Sequence, residues 1–169
     1  KDYSSSLNKS ISIKSRTASK DVFAGDPYPH ESPDTTHFSV MDQYGNAVSN
    51  TYTLNFSYGS GIMIPGTGML MNNEMDDFSS KPGVPNGYGL LGSEANSIQA
   101  HKRPLSSMTP TIIFKDNNPY LVLGSPGGSR IITTVLQVAL NVMEHDMNVA
   151  QAVNSPRIHH QWLPEVLMM

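Results

Sequence analysis

The chain has 169 residues, 11 Lys and Arg against 14 Asp and Glu, a formal net charge of −3 and 38% hydrophobic residues. That length suffices for one domain with a buried core, while the absence of any basic stripe excludes a nucleic-acid partner. No apolar run reaches the length of a membrane span, and with no cysteine there can be no disulfide, thiolate nucleophile or cysteine–zinc site.

The chain opens on Lys1 rather than Met and stops at Leu167-Met168-Met169, as expected of a piece of a longer polypeptide. Residues 1–34 form a polar, serine-rich tail or linker without the apolar segment of a signal peptide. Its end, Asp26-Pro27-Tyr28-Pro29-His30-Glu31-Ser32-Pro33-Asp34, is proline-rich and predicted to be extended and exposed. Order is expected from Thr35 onward. Thr36 to Met41 predicts a strand, Asp42 to Asn46 a turn, and Ala47 to Asn55 the returning strand. In that second strand Ser49, Thr51, Thr53 and Asn55 share one face and Val48, Tyr52 and Leu54 the other, because strand side chains alternate.

Gly59 to Tyr88 is rich in Gly, Asn, Asp and Pro and predicts long ordered loops, which in compact domains are commonly functional. A second hairpin is expected from Thr111–Phe114 and Tyr120–Leu123 around Asp116-Asn117-Asn118-Pro119. The run Gly124-Ser125-Pro126-Gly127-Gly128-Ser129 then opens a helix whose Ile132, Val135, Leu136, Ala139, Leu140 and Met143 predict a core-facing stripe. Another helix is expected to start after Asn148, a good N-cap, and to stop before Pro156.

Four places along the chain could support chemistry. Thr35 follows the proline-rich stretch, so a cut between Asp34 and Thr35 is sterically reachable. Such a cut would free an α-amine of pKa about 7.7–8.0, suited to activating the Thr35 hydroxyl as a nucleophile. Without the cut, Thr35 is an ordinary strand-initial threonine. Gly127-Gly128 offers backbone N–H groups at a helix start, suited to a phosphate or to the oxyanion of a tetrahedral intermediate; the plain alternative is a tight strand-to-helix turn. The run lacks the Walker lysine and the dinucleotide fingerprint. Asn72-Asn73-Glu74-Met75-Asp76-Asp77 could be a solvated acidic loop, a calcium loop lacking EF-hand spacing, or a site that neutralises a substrate ammonium. Ser106-Ser107 could hold a carboxylate or simply cap a turn. His159-His160 has no suitably spaced partner for a metal, and Trp162 belongs to core or interface.

The order of these segments is more specific than any one of them. Thr35-Thr36-His37, Asn72-Asn73-Glu74-Met75-Asp76-Asp77-Phe78, Lys102-Arg103-Pro104-Leu105-Ser106-Ser107-Met108, Gly124 to Arg130, and Arg157 with His159-His160-Gln161-Trp162-Leu163-Pro164 closely resemble the γ-glutamyltransferases (glutathione hydrolases), bacterial members above all. The resemblance implies an α+β fold, the αββα sandwich of N-terminal-nucleophile hydrolases, present here in part. Residues 1–34 would be the end of a large subunit and 35–169 most of a small subunit, truncated at its C-terminus. The two would arise when one precursor cleaves itself between Asp34 and Thr35.

Carried onto this chain, the family pattern makes Thr35 the nucleophile and Thr53 its hydrogen-bonding partner. Asn55, Glu74 and Asp77 would contact the γ-glutamyl group, the acidic pair taking its α-amine, and Ser106 and Ser107 its α-carboxylate. The Gly127 and Gly128 amides would hold the oxyanion, and Tyr88 matches a lid-loop tyrosine. The resemblance implies glutathione and other γ-glutamyl compounds as substrates, water, amino acids or peptides as acceptors, no cofactor or metal, a heterodimer with the large subunit, and a periplasmic or secreted location. The large subunit would also supply an arginine for the substrate carboxylate, so the isolated chain is expected to be inactive. The rival expectations are another N-terminal-nucleophile acylase, such as a cephalosporin acylase, and a non-catalytic relative that would show a lost nucleophile or lost glycines.

Overall fold

A computed structural model describes Ser5, Lys9, residues 35–161 and residues 167–169. The chain divides into two units, Lys1–His30 and Glu31–Met169, and the elements below belong to the second. The expectations placed on residues 1–34, Asp34 included, and on Trp162, Leu163 and Pro164 lie outside the described residues.

Strand β1 (Thr36–Met41) pairs antiparallel with β2 (Ala47–Tyr52), Thr36 opposite Tyr52 and Met41 opposite Ala47. The turn between them is closed by Asp42, whose carboxylate accepts the Tyr44 and Asn46 N–H groups at 2.9 Å each, an Asx-type turn. The predicted second strand overruns the observed one by three residues. Asn55 has φ +76 and its N–H donates to Thr53 Oγ1 at 2.9 Å, so the chain leaves the ladder after Tyr52. The alternation of Thr53 and Asn55 thus continues a strand pattern into a side-chain-capped turn.

The two faces of this hairpin are covered differently, the hydroxyl face inward and the apolar face outward. Ser49 donates to the Leu123 carbonyl at 2.8 Å, and His37 hydrogen-bonds through Nδ1 with Thr51 Oγ1 at 2.7 Å and through Nε2 with Ser39 at 2.9 Å. Burial lowers the His37 pKa, keeping the ring neutral. The apolar side chains Phe38, Val40, Val48 and Tyr52 are exposed, with Phe38 and Tyr52 in edge-to-face contact.

Strands β3 (Thr111–Lys115) and β4 (Asn118–Leu123) form the second antiparallel hairpin. Its turn is tighter than the sequence suggests. Asp116 and Asn117 both have positive φ, 51° and 62°, the two-residue geometry that fits right-handed strand twist, and Asn118 already belongs to β4. β1 and β2 pack on β4. Gly124 makes this approach possible, because a Cβ there would sit 2.2 Å from the His37 ring.

A 3-10 turn, Gly128–Arg130, leads into α1 (Ile131–Met143), and α2 (Val149–Asn154) packs on α1. α2 starts where expected: Asn148 accepts the Gln151 N–H at 2.9 Å while Gln151 accepts the Asn148 N–H at 3.0 Å, a reciprocal capping box. The stripe predicted for α1 is only partly the buried one. Ile131, Val135 and Val138 join Leu121, Leu123 and Ala152 in the core, whereas Ile132, Leu136, Leu140 and Met143 are exposed. α1 is apolar on both sides, and its buried side is set by the β3–β4 hairpin and α2.

Residues 53–107 are largely irregular, which includes the Gly59–Tyr88 stretch expected to form loops. They hold isolated bridges such as Met63–Leu70 and Pro85–Leu91 and two 3-10 helices, Glu74–Asp77 and Glu94–Asn96. No helix among the described residues is long and apolar enough to cross a membrane.

Candidate active site

Thr35 is 7% exposed and stands immediately before β1, one step beyond the Thr36–Tyr52 pair at the open end of the hairpin. It lines a small cleft with Thr53, Asn55, Glu74, Asp77, Tyr88, Ser106, Ser107, Met108, Gly128 and Ile131. Segments separated by most of the chain thus converge on one hydroxyl. Of the residues predicted for the site, Gly127 alone of the described ones does not line this cleft. It faces the adjoining cavity beside Arg130, Thr133 and His159.

Each wall has a local cause. Asn55 is 3% exposed, and Asn73 holds its turn from three sides. The Asn73 N–H donates to the Leu54 carbonyl at 3.1 Å, the Asn73 carbonyl accepts Asn55 Nδ2 at 3.3 Å, and Asn73 Oδ1 accepts the Phe56 N–H at 3.2 Å. Thr53 Oγ1 accepts the Asn55 N–H, and Thr53 lines the cleft together with Thr35. Tyr88 donates its phenol to the Asn55 carbonyl at 2.7 Å and stacks obliquely on Phe56. Gly128 has φ +55, and a Cβ there would lie 2.8 Å from the Tyr88 ring. Only glycine meets both conditions. Ser106 Oγ accepts the Met108 N–H at 3.2 Å, so one serine shapes the turn that presents the pair.

The acidic residues form a 3-10 helix rather than an open loop. Three residues per turn place Glu74 and Asp77 above one another, and both reach the cleft. Burial, the hydrogen bond that protonated Glu74 donates to Asp77, and the charges of Asp77 and Asp76 push the Glu74 pKa up to about 7. Burial also raises Asp77, as does the charge of Asp76, against a lowering by the Glu74 hydrogen bond. Glu74 Oε1 is buried without a hydrogen-bond partner. No Lys, Arg or His is among the described residues lining this cleft. A half-buried carboxylate pair with one orphaned oxygen, and no cation among the described residues lining the cleft, suits a cationic donor from outside the chain. No group of His, Asp and Glu suited to a metal ion occurs among the described residues. His159 is buried and engaged by Thr133 at 2.8 Å and Gln161 at 2.9 Å.

Residue-level reasoning from sequence missed Asn73, Met108 and Ile131. Asn73 is the one with a signal, an asparagine directly before an acidic turn. Ile131 is the most buried large side chain of the core and also floors the cleft, a double role that sequence periodicity does not mark.

The arrangement has close counterparts. The family described as Gamma-glutamyltranspeptidase matches residues 1–169. A glutathione hydrolase proenzyme of Escherichia coli is 55% identical over 167 residues, covering 99% of this chain and 29% of that protein. The chain therefore spans about three tenths of the length of that relative. A crystal structure of a Helicobacter pylori gamma-glutamyltranspeptidase variant superposes with TM-score 0.76 at 65% identity, over 78% of this chain and 71% of that one. A Pseudomonas nitroreducens gamma-glutamyltranspeptidase complexed with L-DON gives TM-score 0.74 at 56% identity, over 76% and 67%.

Proposed function

Because this chain belongs to the gamma-glutamyltranspeptidase family, with the α+β fold of its N-terminal-nucleophile hydrolases, we propose that the complete protein is a self-processing γ-glutamyltransferase and glutathione hydrolase. The observation behind this reading is the single cleft that gathers Thr35, Thr53, the Glu74–Asp77 pair, Ser106–Ser107 and Gly128.

Cleavage between Asp34 and Thr35 frees the Thr35 α-amine. That amine takes the hydroxyl proton as Thr35 Oγ1 adds to the γ-amide carbonyl carbon, and Thr53 steadies the hydroxyl. The Gly128 N–H stabilises the resulting oxyanion, with Gly127 shaping that loop. The amide C–N bond breaks, the protonated amine of the leaving peptide departs, and a γ-glutamyl ester remains on Thr35. Water or the amino group of an amino acid or peptide then attacks the ester and restores Thr35. Glu74 and Asp77 hold the substrate ammonium, which supplies the donor that Glu74 Oε1 lacks. Asn55 contacts the γ-glutamyl group beside them, and the Ser106 and Ser107 hydroxyls take the carboxylate end, completed by a cation from the large subunit. A glutaryl group has no ammonium for the acidic pair, which disfavours a cephalosporin-acylase-like specificity. The site of action is the periplasm or the cell exterior, on the strength of the bacterial family likeness.

The decisive variant is Thr35→Ala in the full precursor. It is expected to stay a single chain and to hydrolyse no γ-glutamyl anilide. Two subunits, or turnover, from that variant would refute the nucleophile assignment. The 169-residue chain by itself is expected to be inactive, because its Thr35 nitrogen is locked in an amide and its cleft has no cation.

A further inference from the structure

Three carboxylates occupy the Glu74–Asp77 helix, yet only Glu74 and Asp77 line the cleft. Asp76 projects elsewhere, toward the cavity it shares with Gly87 and Leu90. There its carboxylate accepts the Gly87 N–H through both oxygens, at 3.3 and 3.1 Å. Its backbone carbonyl accepts Asn86 Nδ2 at 3.4 Å. Asn86 in turn folds the next residues around itself, its Oδ1 accepting the Tyr88 and Leu90 N–H groups at 3.0 and 2.9 Å. Gly87 is the contact point. A Cβ there would lie 2.4 Å from Phe56 Cζ and 2.8 Å from Asp76 Oδ2. The residue after Gly87 is Tyr88, which holds the Asn55 carbonyl and covers Gly128.

We propose that Asp76 is a positioning residue: it latches the 86–90 turn to the acidic helix, and so fixes Tyr88 against Asn55 and Gly128, without touching substrate. The ammonium is then recognised by two carboxylates, not three. The third links the two places where the reaction is most sensitive to geometry, the oxyanion donor and the glutamyl contact. The arrangement has a side effect on its neighbours, since the Asp76 charge also discourages ionisation of Glu74 and Asp77. The titratable groups lining the cleft are Glu74, Asp77 and Tyr88, joined by the Thr35 amine after processing.

The proposal rests on the functional reading above, and three variants of the complete processed enzyme test it. Asp76→Ala removes the latch and its charge, Asp76→Asn keeps an acceptor for Gly87 but loses the charge, and Gly87→Ala disrupts the contact while keeping the charge. With a γ-glutamyl anilide above pH 7, Asp76→Ala and Gly87→Ala are expected to lose roughly tenfold to hundredfold in kcat/KM, the scale of an ångström-level misplacement. Asp76→Asn is expected to stay close to the parent, with the acidic limb of its pH profile moved to lower pH. Gly87→Ala is expected to leave that limb in place. Limited proteolysis supplies a readout independent of turnover: cutting within residues 81–91 should speed up in Asp76→Ala and Gly87→Ala, and not in Asp76→Asn.

Parental kinetics and proteolysis in Asp76→Ala would overturn the latch, and so would an Asp76→Asn variant as impaired as Asp76→Ala, since charge alone would then matter. Should Gly87→Ala yield no processed enzyme, the two Asp76 variants decide the matter. A parent enzyme inactive on γ-glutamyl substrates would strike the functional reading instead, and proteolysis would still test the latch.

Discussion

Residues 111–155 and residues 53–107 meet at the cleft but are held by different forces. In the first region, Leu121, Leu123, Ile131, Val135, Val138 and Ala152 exclude water from one cluster, and burial of apolar area is the stabilising term. In the second, the buried residues include Asn55, Ser79 and Asn96 beside Phe78 and Tyr88. Their amides act as internal ties. Asn96, for example, donates to the Asp77 carbonyl at 2.7 Å and accepts the Leu105 N–H at 3.0 Å. The apolar region supplies the parts that must not move, Gly128 and Ile131. The hydrogen-bonded region supplies the charged and polar parts that must meet a substrate. A cleft at such a seam has one rigid wall and one wall tuned by discrete bonds.

The largest effect expected from this division is on stability, at Ile131. Ile131→Ala in the complete protein should cost about 2–5 kcal/mol, measured by urea denaturation. Ile62→Ala in the loop region, where the side chain is exposed, should stay within about 0.5 kcal/mol. Equal costs at the two positions would abolish the distinction between a packed wall and a tied one. Gly128→Ala comes next and probes chemistry rather than folding. The added methyl meets the Tyr88 ring and an unfavourable φ, displacing the proposed oxyanion donor. Turnover should fall by about 10²–10³, with thermal stability reduced far less than in Ile131→Ala.

The same division explains what the sequence made legible. Both hairpins, the 3-10 entry to α1 and the Asn148 cap are local, written in turn residues and periodicity within a few positions. The end of β2 was not legible, because Asn55 turns away under bonds from Asn73, eighteen residues on. The buried side of α1 was ambiguous for another reason. Ile132, Leu136 and Leu140 are as apolar as Ile131, Val135 and Val138, and only tertiary packing chooses between them. Alternation showed that the two faces of β2 differ but not which is covered; Ser49 and Thr51 face inward and satisfy Leu123 and His37. The acidic run was visible, but its division into Glu74 and Asp77 on one side and Asp76 on the other needed the 3-10 geometry. The site residues themselves emerged chiefly through the family resemblance, whose motifs fall on both walls.

A moderate effect is expected from pH, and its sign follows from the raised carboxyls. On the proposed function Glu74 must be ionised to take a substrate ammonium, so kcat/KM should fall about tenfold for each unit of acidification below a value near 7. Stability runs the other way. A carboxyl whose pKa is higher folded than unfolded binds its proton more tightly in the fold. Its contribution is therefore most favourable below the unfolded value near 4.5 and is lost as pH rises through about 7. Glu74→Gln should raise the Tm of the ligand-free enzyme above pH 7 while sharply raising KM. A Tm unchanged or lowered by that substitution would mean the acidic pair is not strained in the absence of substrate.

The smallest expected effect lies at the far edge of the apolar region. Asn148 caps α2 by accepting the Gln151 N–H, and Gln151 returns the bond. Asn148→Ala should cost about 1 kcal/mol, seen in urea denaturation with an unchanged m-value. α2 sends Ala152 into the core beneath α1, so the loss should register as global stability rather than local fraying. It should leave kcat and KM at parental values, because nothing in α2 lines the Thr35 cleft. A kinetic defect in this variant would show that the apolar wall transmits small losses of support to Gly128, and that its rigidity is finely balanced rather than in surplus.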